Sequence, residues 1–139
     1  MSDGPETSIQ LAFCAFLQAG NLGFPIAWPF TVFSPISGVA FFDARGMLRA
    51  APRGIGLAFT DSTLRTGIFQ VDSVTPTDQG EAPGLRMAEL VAVLFDQGTF
   101  FVAGNRWKVR INQVPKIAPA VMDAPWLRFP VSILYSVST

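Results

Sequence analysis

Trp126-Leu127-Arg128-Phe129-Pro130-Val131-Ser132-Ile133-Leu134-Tyr135-Ser136-Val137 is the stretch that decides the fold class. Val131, Ile133, Tyr135 and Val137 alternate with Ser132, Leu134, Ser136 and Ser138, the two-residue period of a β-strand. Upstream, residues 99–103 and 107–114 read as a hairpin around Gly104-Asn105, a pair that tolerates positive φ. Trp107, Val109 and Ile111 alternate there with Lys108, Arg110 and Asn112, so one side of the second strand is wet or faces a polar partner. Before the hairpin the period changes. Over residues 84–95, Leu85, Ala88, Val91, Ala92 and Phe95 form one helical face, widened by Met87, Leu90 and Leu94. Glu81 suits the positive end of that helix, and Gly98 ends it.

Further toward the N-terminus, residues 64–74 form a strand centred on Ile68, Phe69 and Val71, and residues 37–47 another around Val39-Ala40-Phe41-Phe42. Residues 48–57, with Pro52, Gly54 and Gly56, read as a loop or hairpin tip, residues 75–83 as a turn-rich connection and residues 115–125 as a Pro-rich loop. Residues 23–35 hold Pro25, Pro29 and Pro35, which forbid a helix and keep their predecessors extended; they are an arm or edge segment with aromatic anchors. A first helix, capped by Thr7 or Ser8, runs to Ala19 with Ile9, Phe13, Phe16 and Leu17 at helical spacing. The order predicts an α+β fold: a mostly antiparallel sheet with two helices packed on one face, an extended loop or hairpin and a Pro-rich arm. Residues 1–139 are expected to form a single domain, with 1–6 as a flexible lead-in.

Composition narrows the function. Half of the residues are hydrophobic and only 14% are charged, so apolar surface is expected to be hidden against a partner. Ten basic residues balance ten acidic ones, which gives no global pull toward nucleic acid. The absence of His removes the commonest general base and metal ligand. Cys14, the single cysteine, sits among Leu11, Phe13, Ala15 and Leu17 and reads as a buried small apolar residue. No phosphate-binding glycine loop, zinc spacing or nucleophile–base pair is present, so no enzyme activity, metal or cofactor is expected. Apolar stretches are broken by Pro and Gly before they could span a bilayer, and the N-terminus is acidic; no membrane segment or secretory signal is expected.

Two groups of residues are candidates for contact with partners. Phe24, Ile26, Trp28, Phe30 and Phe33, on the Pro-rich arm, are candidates for a subunit interface. Arg45, Arg49, Arg53 and Arg65, in and around the Gly/Pro loop, are candidates for a face turned to an acidic partner or to DNA.

The ordered phrases Ile26-Ala27-Trp28-Pro29, Gly67-Ile68-Phe69-Gln70-Val71-Asp72, the helix within residues 80–95, Trp126 and Pro130-Val131-Ser132-Ile133 resemble the tail-terminator (tail completion) proteins of long-tailed bacteriophages and phage-like particles. The resemblance covers residues 8–137. It departs at Phe30, where the family carries Asn, and is poor over residues 34–66. It implies a non-enzymatic virion protein, made in the host bacterial cytoplasm. As implied, the chain partners itself in a homo-oligomeric ring, usually a hexamer, at the head-proximal end of the tail tube. There it stops tube polymerisation, joins the tail-tube protein to the head-side connector or stopper, and lets DNA pass without sequence-specific binding. A tail-tube subunit or head–tail adaptor is the alternative role.

Overall fold

The computed structural model describes residues 4–28, 32–49, 53–54, 63–104 and 107–138, with only the backbone at 5, 48, 49, 53, 54, 63 and 64. It is an α+β fold, as the order of periods predicted: two helices and a mostly antiparallel sheet. The first helix, α1 (Pro5–Ala19), starts earlier than its hydroxyl residues suggest, with Gly4 at the N-cap and Pro5 in the first turn. Proline is pre-set for that position and lacks only a donor that would be unpaired anyway, and Glu6 faces the positive end of the dipole. The second helix, α2 (Ala82–Leu94), likewise carries a proline, Pro83, in its first turn.

The sheet is built around its last strand. Its members are β1 (Ile26–Ala27), β2 (Phe41–Arg49), β3 (Arg53–Gly54), β4 (Thr63–Pro76), β5 (Phe100–Ala103), β6 (Trp107–Ile111), β7 (Lys116–Ile117), β8 (Val121–Asp123) and β9 (Trp126–Ser138). The main order is β1-β2-β4-β9-β6-β5, and among the described strands β1 pairs in parallel while the rest pair antiparallel. Along one side β9 pairs with β4 from Trp126 to Val137; along the other it meets β8, β7 and β6 in turn.

Two stretches read as loops therefore contribute strands. Prolines 115, 119 and 125 cut residues 115–125 into pieces too short to show a period, yet β7 and β8 form there because β9 offers its free edge. Within residues 48–57, Leu48 and Arg49 complete β2 and β3 pairs with β4; the remainder lies outside the described residues. The expected strand over 37–47 is shifted to Phe41–Arg49, bent by an irregularity between Ala44 and Gly46. Pro130 lies in the middle of the central strand, a position proline rarely takes. Its carbonyl accepts the Ala118 N–H at 2.8 Å, so its missing donor points to the same side, into the gap between β7 and β8 where no ladder bond is lost.

β9 alternates without a break, Leu127, Phe129, Val131, Ile133, Tyr135 and Val137 being buried and the residues between them half-buried. The buried set joins Phe69 and Val71 of β4, Ile9, Phe13 and Leu17 of α1, and Met87, Ala88 and Val91 of α2 in one core. Phe13 is its hub, with ring centroids 4.9 Å from Phe69, 4.9 Å from Tyr135, 5.1 Å from Phe101 and 5.9 Å from Phe95. α2 approaches the sheet closely at Gly84, where a Cβ would stand 2.8 Å from the Phe129 ring and 3.1 Å from Thr75 Oγ1. The Ser73 hydroxyl donates to the Gly84 carbonyl at 2.8 Å and fixes that contact. Register puts Asp43, Asp72, Val74 and Arg128 on the opposite side of the sheet, where Ala27, Phe41 and Val74 make a second small cluster covered by Phe33 and Trp126.

Candidate functional site

Among the described residues the charges are densest on that opposite face. Arg128 projects from β9 and donates to Asp123 at 2.9 Å, to Asp43 at 2.8 Å and to Asp72 at 3.4 Å. Asp72 is the buried member, its side chain only 4% exposed, and it also accepts from the Gln70 amide at 3.1 Å. Burial opposes the charge on Arg128, but hydrogen bonds to Asp43 and Asp123 and the charges of Asp43 and Asp72 outweigh it, so its pKa is raised. The cluster ties β2, β4, β8 and β9 together. Among the described residues no three metal-ligating side chains form a cation site.

The arm candidates are drawn largely into the chain's own fold. Ile26 pairs with Phe42 in β1, and Trp28 is half-buried against the main core. Phe33 packs on Phe41 with centroids 4.9 Å apart. Phe24 meets Phe42 edge-on at 5.6 Å yet stays 37% exposed, and it borders a shallow depression with Gln18, Asn21 and Leu22. Phe30 lies outside the described residues.

The arginine candidates are not one group. Arg45 sits at the β2 irregularity, largely exposed, 3.7 Å from Asp43. The backbones of Arg49 and Arg53 flank the undescribed part of the loop, in β2 and β3; their side chains lie outside the description. Arg65 stands apart, pairing with Glu6 of α1 at 3.1 Å. Cys14 is half-buried rather than fully buried, and that burial raises its thiol pKa.

Two surfaces that composition does not single out become visible through register. Along the second side of β9, Lys108 lies opposite Ser138, Arg110 opposite Ser136 and Lys116 opposite Ser132, a line of exposed cations. In β5, at the sheet edge, Phe100 stands opposite Arg110 and Val102 opposite Lys108, 50% and 49% exposed. On α2, Leu85 (40% exposed), Glu89 and Val93 (76% exposed) follow Glu81 at four-residue steps, and Asp96 extends the stripe just past the helix. The sequence spacing places Leu85 on the apolar face of this helix and widens that face with Leu90; both are exposed, and Met87, Ala88 and Val91 carry the burial instead. No helix among the described residues is long and apolar enough to cross a membrane.

Comparison with known proteins agrees with this architecture. No curated protein is matched. One solved structure, 23% identical, superposes with a TM-score of 0.76 over 97% of this chain and 96% of its own, a likeness of fold. The model of the family described as phage tail terminator protein matches residues 8–135. With that match running from the first turns of α1 into the last turns of the β9 alternation, the chain belongs to the phage tail terminator protein family.

Proposed function

We propose that this phage tail structural protein closes into a ring, a hexamer, on the head-proximal end of the tail tube. The ring stops tube polymerisation and presents the surface to which the head-side connector docks, while DNA passes through it without sequence-specific contacts. The family match over residues 8–135 carries this reading. Composition supports it: a small chain with 14% charged residues and, among its described residues, thirteen large apolar side chains left exposed has surface that a neighbour would cover. Within the ring, Phe24 is the arm residue best placed to meet a neighbour, while Ile26, Trp28 and Phe33 hold the arm to its own sheet. Arg45, with Arg49 and Arg53 on the flanking strands, faces an acidic neighbour or the DNA backbone; Arg65 serves α1.

The test is stoichiometry. Quantitative mass spectrometry of purified tails is expected to give about six copies of the chain per tail, the count of one closed ring. Copies in proportion to tail length would mean a tube subunit instead.

A further inference from the structure

We infer that the ring contact is heterologous and polar at its rim: the outer stripe of α2 on one copy seats against the β5–β6 face of the next. This rests on the ring reading above and names the two surfaces that make it. The α2 stripe presents Glu81, Glu89 and Asp96 around Leu85 and Val93, with Arg86 as its one neighbouring cation. The β5–β6 face presents Lys108, Arg110 and Lys116 beside Phe100 and Val102, and none of these cations has an acidic partner among the described residues. Each surface thus pairs two exposed apolar side chains with three charges, and the charges are opposite in sign. Apolar side chains in the middle with complementary charges around them are what a specific interface needs: the first give affinity, the second set register and exclude wrong partners.

The layering supplies the geometry. α2 lies on the side of the sheet that holds the main core, with its stripe turned outward, whereas Lys108 and Arg110 alternate with the buried Trp107, Val109 and Ile111 and so point out of the other side. Two different patches facing apart produce head-to-tail contacts, which close into a ring when each step adds a rotation. Asp43, Asp72 and Asp123 are already engaged by Arg128, whereas the acidic side chains of the α2 stripe have no cation partner among the described residues. β5 is the terminal strand of the sheet path, with no further strand beside it among the described residues.

Charge reversal tests this directly. In Lys108→Glu/Arg110→Glu, both surfaces of a copy are acidic; in Glu89→Lys/Asp96→Lys, both are basic. Each variant alone is expected to keep the wild-type melting temperature and to associate about tenfold or more weakly by native mass spectrometry and sedimentation. Mixed together, they should restore rings with the two variants alternating, and the fourfold variant should restore rings by itself. Rings of wild-type stability from either double variant, or no restoration on mixing, would overturn the inference and leave the ring reading standing. So would intact rings that have lost only retention of duplex DNA, since the cations would then face phosphate. A wild-type chain that is monomeric at every concentration and absent as a ring from purified tails would overturn the ring reading itself, and this contact with it.

Discussion

Thr75 and Gly84 face one another across the junction of β4 and α2, and both make predictions that buried side chains elsewhere do not. The Thr75 hydroxyl is fully enclosed and has no hydrogen-bond partner among the described residues. Leaving such a donor unsatisfied costs about 1–3 kcal/mol, so Thr75→Val, which keeps the shape and removes the hydroxyl, is expected to stabilise the protein by about 1 kcal/mol in urea unfolding. Gly84→Ala should do the opposite. Its methyl would meet the Phe129 ring at 2.8 Å, and a ring wedged in the core cannot swing away, so a loss of about 1–3 kcal/mol is expected. Arg128→Met leaves the buried Asp72 carboxylate without its cation and is expected to cost about 3 kcal/mol, read as a lowered urea midpoint.

Among the elements, β9 and β4 carry the fold, since β9 is paired along both sides and β4 joins it to β2. Amide hydrogen exchange should therefore be slowest in the middle of β4 and β9 and faster in β1 and β5, which bound the sheet. These elements also show what a sequence can disclose. The thirteen residues of β9 and the buried positions Met87, Ala88 and Val91 of α2 were legible because a long period repeats enough to be read above noise, whereas Leu85 and Leu90, read into the same face, are exposed. β1, β7 and β8 were not, because two or three residues carry no period and their strand character comes from a distant edge. The start of α1 was misplaced because Thr7 and Ser8 look like caps, while Pro5 and Glu6 suit the first turn better. The partner surfaces divide in the same way. The wet side of β6 was visible in the alternation of Lys108 and Arg110, but the pairing of Phe100 with Arg110 is a product of register. The aromatic arm drew attention by composition, yet Trp28 and Phe33 are spent on the chain's own core.

As a whole molecule, the protein is a sheet with its helical layer on the main core and a charged, partly open face behind it. What the described residues offer is an acidic stripe on α2 and a line of cations on the opposite side of the sheet. In the proposed ring these two surfaces meet between neighbouring copies. The most direct measurement is electron microscopy of tails assembled in the absence of this chain. Tubes of excessive and variable length, without attached heads, are the predicted result; tails of normal length joined to heads would contradict the account.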